Sequence, residues 1–143
     1  MIAGSLVPDV RTRHPGELTE HLHRAGLPFH AGVVSLEPEF VLVGGRRHEV
    51  RGHTAAAWFY RSTSADLALG EAFEGRLAEL GSADEVRTDP APPLHIFRKT
   101  TQTIVCWQDG PVVRVFASTL PTEQVVALAR RQSRVRISDA RKP

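Results

Sequence analysis

Seven histidines lie in a chain of 143 residues, and two small groups of them have spacing that metal chemistry could use. His14, Glu17 and His21 recur at i, i+3 and i+7. That spacing puts two imidazoles and a carboxylate on one helical face if the helix starts at His14. Leu18 and Leu22 mark an apolar stripe beside this face, so the plainer use is surface histidines next to a core stripe. His48 and His53 flank an expected hairpin turn and could approach across it, but two ligands do not complete a site. These five residues are the metal candidates, and no metal or other cofactor is assigned to them.

Nucleophilic chemistry finds less support. Cys106 sits between Val105 and Trp107 in an apolar run, where a buried, inert thiol is the usual outcome. No serine lies in a Gly-x-Ser-x-Gly elbow. Gly44-Gly45-Arg46-Arg47 lacks the Gly-Lys-Ser/Thr ending and the following helix of a phosphate loop. The carboxylates are scattered without an acid–base pairing, so no catalytic residue is assigned. Trp58, Phe59 and Tyr60 beside a basic hairpin invite a single-strand nucleic-acid reading. Alternation along a strand separates the three rings between two faces, which favours core packing and no specific nucleic-acid partner.

The elements that must hold these residues follow from periodicity and punctuation. Residues 1–13 read as an extended lead-in with a breaker at Pro8. Pro15 opens a helix, Leu18, Leu22 and Ala25 form its buried stripe, and Gly26 ends it. Phe40–Val43 is a strand interrupted at Gly44-Gly45, and 54–61 is its antiparallel partner. Residues 64–80 fit both periods; the reading adopted is a strand near 66–70 and a short helix near 72–80. Segment 81–93, rich in Pro and Asp, reads as a mobile linker. Three more strands follow at 94–99, 103–108 and 112–118. Asp109-Gly110 signals a hairpin, but Pro111 cannot donate an N–H in a two-residue turn closed by Gln108, which predicts a longer or bulged loop. A helix runs from about Pro121 to Gln132, and 133–143 is a basic tail.

Composition bounds the class. Hydrophobic residues are 41% and charged residues 24%, as in ordinary globular domains. One cysteine excludes an internal disulfide and a Cys-rich zinc module. No apolar run approaches the roughly 20 residues of a membrane-spanning helix. Net charge is +2, and the cations cluster at Arg46, Arg47 and Arg51 and again from Arg130 to Lys142. Solvated surface is the ordinary use of such clusters.

Two stretches then resemble a known family. Phe40-Val41-Leu42-Val43-Gly44-Gly45-Arg46 is followed by a turn and Ala55-Ala56-Ala57-Trp58-Phe59-Tyr60-Arg61. Later come Trp107-Gln108-Asp109-Gly110, a strand, and Leu120-Pro121-Thr122-Glu123. Together they resemble the extracytoplasmic domains of transmembrane anti-sigma factors. Gly44, Gly45, Arg46, Tyr60, Trp107, Asp109, Gly110 and Pro121 carry the resemblance as structural motif residues, over roughly residues 14–132. The family's zinc-associated helical domain, its membrane span and its His-Thr-Val-Lys-Pro-Trp-Phe segment have no counterpart here, and no catalytic residue carries over.

The expectation is therefore a single α+β domain over 14–132. It has an antiparallel sheet of about five to six strands, with N- and C-terminal helices packed on one face. The resemblance implies a non-enzymatic regulatory or sensor domain acting through a protein partner, a regulator or a protease. The alternative is a metal- or small-ligand-binding module using the histidines and the basic hairpin. A homodimer through a sheet edge is a further expectation. An excised domain would be extracytoplasmic; a chain beginning naturally at Met1 would be cytoplasmic.

Overall fold

The computed structural model describes residues 8–50 and 52–134; Arg51 and the basic tail from 135 onward lie outside the described residues. A single antiparallel sheet of eight strands dominates the molecule. The strands are β1 (Val10–Arg11), β2 (Val41–Val50), β3 (His53–Arg61), β4 (Leu67–Glu74), β5 (Glu85–Arg87), β6 (Leu94–Arg98), β7 (Thr103–Asp109) and β8 (Val112–Ser118). Their spatial order is β1-β2-β3-β4-β8-β7-β6-β5. Among the described residues two helices accompany them, α1 (Pro15–Arg24) and α2 (Thr122–Ser133), with a 3-10 turn at Leu77–Leu80.

This overturns the expected sheet of five to six strands framed by two helices: the protein is mostly sheet, with eight strands. The two unforeseen strands, β1 and β5, are the two edges, of two and three residues. So few residues carry no periodicity to read. Short edges also leave little unpaired backbone for another chain to extend. The ambiguous region 64–80 resolves differently too. The strand runs on through Glu74, and a four-residue 3-10 turn replaces the expected helix. β4 is buried on both faces because it lies in the middle of the sheet, so its apolar residues do not alternate.

Alternate residues of the strands feed two separate cores. The larger lies on one face and joins Leu18 and Leu22 of α1, Val125 and Ala129 of α2, and Trp58, Tyr60, Ala72, Trp107 and Phe116 of the sheet. Between α1 and β2, residues 27–40 run without regular structure, yet Leu27, Phe29, Ala31, Val33 and Leu36 are buried in this same core. The smaller core, on the opposite face, gathers Ala55, Phe73, Cys106, Val113 and Val115, with Leu77 and Leu80 of the 3-10 turn against it.

Glycines mark where backbone and rings come too close for a side chain. The β2–β3 register slips between Leu42 and Gly44, a bulge. A Cβ on Gly44 would fall 2.3 Å from the Val10 carbonyl oxygen, and one on Gly45 would fall 2.7 Å from that of Ala57. Gly44-Gly45 thus lets β1 and α1 approach β2. Gly70 lies opposite Trp58 on the neighbouring strand, and a Cβ there would sit 2.0 Å from the indole Nε1. The β7–β8 turn is also tighter than expected. Asp109 pairs with Val112, leaving Gly110 and Pro111 as a two-residue turn with Gly110 at φ 61. Closing it one residue later than Gln108 puts Pro111 where no N–H is required, with a left-handed glycine first.

Gly70→Ala should therefore displace the Trp58 ring and cost about 2–4 kcal/mol, read from urea unfolding. Gly16→Ala, in α1 with open space around it, is the matched control and should change stability by less than about 1 kcal/mol in either direction. Equal effects at both positions would contradict the packing described.

Candidate functional site

Two arrangements have more than packing to do: a buried cation that fixes the irregular segment on the helical face, and a strap held along α2. Arg114 lies mid-β8, 7% exposed. Its Nε donates to Asp109 Oδ2 at 2.8 Å, Nη2 donates to the His30 carbonyl at 3.0 Å, and Nη1 to the Ala31 carbonyl. A buried guanidinium is tolerable only with such multiple partners. Tyr60 adds a second tie, its hydroxyl donating to the Val34 carbonyl at 2.7 Å. Burial pushes that hydroxyl above the usual phenol range, so it remains a donor. Together they hold carbonyls 30, 31 and 34, which have no strand partner, against the sheet.

Segment 81–93, expected as a linker, carries β5 and is tied down along its length. Asp84 Oδ2 accepts from the Arg98 backbone N–H at 2.6 Å. Arg87 bridges to Glu85 and to Glu123 of α2, both at 2.7 Å, and Arg98 reaches Glu85 at 2.6 Å. Arg130, near the other end of α2, donates to the carbonyls of Pro90 and Pro92 at 2.7 and 2.9 Å. The strap therefore lies along the helix with a clasp at each end. Arg87 and then Arg98, as hydrogen-bond donors, hold the Glu85 carboxyl down at about 2, and Arg87 likewise lowers Glu123.

The sequence candidates for metal do not converge. His14 is the exposed N-cap of α1 and does not cap through its side chain. Glu17 accepts from the Thr12 hydroxyl at 2.7 Å, and His21 is half-buried in the last turn. His53 is exposed opposite Val50, while His48 lies opposite Ala55, so the hairpin does not pair the two imidazoles. His48 instead approaches Glu71 of β4, with Nε2 2.9 Å from Oε2. This is ion-pair distance without the alignment of an N–H···O bond. No group of three or more metal-capable side chains occurs among the described residues.

The motif residues serve architecture. Trp107 is buried in the larger core, Asp109 anchors Arg114, Gly110 makes the turn, and the Pro121 carbonyl accepts the N–H groups of Gln124 and Val125 at the start of α2. Arg46 donates from Nε to the Arg47 carbonyl at 3.5 Å. Sequence reasoning missed Glu71 and Arg114. Their signal was available: Arg114 is the lone charge of β8, and Glu71 lies between apolar and small residues in the middle of β4. Cys106 is buried, and burial first, then the nearby Glu71 charge, pushes its thiol up to about 12. Comparison with protein families, with characterised proteins and with solved structures finds no match to this chain.

Two outcomes follow. Cys106 should resist aromatic disulfide reagents at pH 8 in the native protein and react within the mixing time once unfolded, because the thiolate is scarce and covered; rapid native labelling would contradict the burial. The strap clasp should weaken in acid. Glu85 lies below its ordinary 4.5 in the folded state, so its contribution is complete above that value and is lost as pH falls towards about 2. Amide exchange, corrected for its intrinsic pH dependence, should then rise selectively at 85–87 and 94–96 relative to β7 and β8. Uniform protection across that range would refute the clasp.

Proposed function

We propose that this chain is a non-enzymatic regulatory domain that works through protein–protein contact, in the manner of the extracytoplasmic part of an anti-sigma factor. The resemblance at Gly44-Gly45-Arg46, Tyr60, Trp107-Gln108-Asp109-Gly110 and Pro121 motivates the class. The observation that carries the mechanism is the strap. Residues 84–92 are laid along α2 and kept there chiefly by the half-buried Arg87 on the exposed Glu123 and by Arg130 on two carbonyls. Exposed ion pairs add little each, so such a segment can leave the surface without unfolding the sheet. A partner or protease that takes the strap changes the state of α2, and the signal passes on by that route. Cys106 is buried with its thiol pushed up, which makes it a poor nucleophile. No helix among the described residues is long and apolar enough to cross a membrane; the reading puts the domain on the extracytoplasmic side of a signalling system.

Limited proteolysis joined to partner capture tests this. The first cleavage should fall within 81–93, and Arg87→Ala with Arg130→Ala should accelerate it several-fold with little change in the unfolding midpoint. The same double variant, as bait, should recover a different amount of an envelope protein or protease than the parent chain does. First cleavage elsewhere, or equal capture by both baits, would overturn the reading.

A further inference from the structure

The face opposite the helices is left open at one end, and its chemistry is specific. Phe59, Leu69 and Ala117 fall in register across β3, β4 and β8, so their side chains form one continuous apolar row. Beyond that row β8 has ended: pairing with β4 begins at Ala68 and Ser118, one residue past Leu67. Leu67 therefore has no neighbour on that side and is 56% exposed, the most exposed large apolar residue among those described. A groove of about 410 Å³ opens here, with Val43 joining the row at its floor. That volume lies within the range of small-molecule sites.

The rim is cationic. Arg11 of β1 and Arg61 at the end of β3 both line the groove. Both are exposed, and neither forms an ion pair among the described residues, whereas five other arginines and His48 do. Other surface cations also lack an ion pair, but these two guanidiniums line one groove beside an exposed leucine. They suit a ligand with an apolar chain and an anionic head.

We propose that this groove binds a single-chain amphiphilic carboxylate, its chain against Leu67 and Phe59 where the row comes to the surface, above the buried Leu69 and Ala117, and its head between Arg11 and Arg61. The inference deepens the sensor reading by naming a ligand class, but the site is independent of the strap. Failure to bind would leave partner capture by the strap untouched, and failure of that capture would leave the groove untouched.

The test uses the full chain with octanoate, decanoate and dodecanoate below their micellar concentrations, followed by calorimetry and by methyl resonances. Affinity should rise about fourfold for each added methylene that the groove buries. The resonances of Leu67, Leu69 and Val43 should move together and saturate. Leu67→Asp, a surface change that keeps the fold by circular dichroism, should weaken dodecanoate at least tenfold. Arg11→Gln with Arg61→Gln should leave dodecanol binding unchanged and bring the carboxylate-to-alcohol preference close to one. No saturable binding, shifts centred away from the groove, affinity indifferent to these variants, or binding only to anionic phospholipid vesicles would each overturn the proposal.

Discussion

The arrangement depends on one buried cation. Residues 27–40 have almost no regular structure, yet they supply much of the larger core. Such a segment carries carbonyls and N–H groups that cannot pair in a ladder, and burying them unpaired would cancel the gain from Phe29, Ala31 and Val33. Arg114 solves this from within the sheet. Its fork is fixed on one side by Asp109 and on the other presents donors to carbonyls 30 and 31. The tight Gly110-Pro111 turn sets Asp109 near enough to do so, because pairing Asp109 with Val112 places Trp107 opposite Arg114. Without the guanidinium the segment would have apolar contacts but no fixed register, and α1, which it follows directly, would lose its seat.

The two faces consequently have different status. On the helical face helices, irregular segment and sheet interdigitate in one core. The opposite face is covered only in part, by the 3-10 turn that Gln108 holds through the Leu77 N–H and the Gly75 carbonyl. The His48–Glu71 contact crosses over the small residues Ala55 and Ala57, and toward the β4 start the apolar row runs out into the open groove. A domain that needed only to be stable would gain by covering Leu67. The exposed leucine and the uncommitted arginines stand on the face that the architecture leaves available.

What the sequence made legible follows the length scale of each signal. α1 was readable because Pro15, the Leu18–Leu22 stripe and Gly26 act within one helix, and Gly26 takes the positive φ of 97° that such a stop uses. The β2–β3 hairpin was readable from two long strands, and Trp58 and Tyr60 do face away from Phe59. The edges were not, since two or three residues show no period. The end of β4 was not readable because burial on both faces removes alternation, and its Gly70 serves as a berth for the Trp58 ring. The strap escaped notice because Pro and Asp look the same in a free loop and in one secured by α2 residues more than thirty positions away, Glu123 and Arg130. Arg114 and Glu71 were visible as isolated charges, but their partners are set by topology, which local pattern does not encode.

The two faces share strands, and this limits how independent they can be. Leu69 and Ala117 floor the groove, while the adjacent Ala68 and Phe116 belong to the larger core. Phe116 meets the Tyr60 ring edge-on at a centroid distance of 6.5 Å, and Tyr60 holds the Val34 carbonyl. Ser118 ties β8 back to the Leu67 carbonyl at 2.9 Å. A close-packed interior does not absorb displacement gradually. A ligand that shifts β4 against β8 must either leave the Tyr60–Val34 bond intact, at the expense of its own fit, or strain it. That chain of contacts runs from the groove through the middle of the sheet to the irregular segment. The strap, clasped along α2 at the β5 edge, lies off this line, so any coupling between groove and strap has to pass through the packing of Val125 and Ala129 on the sheet.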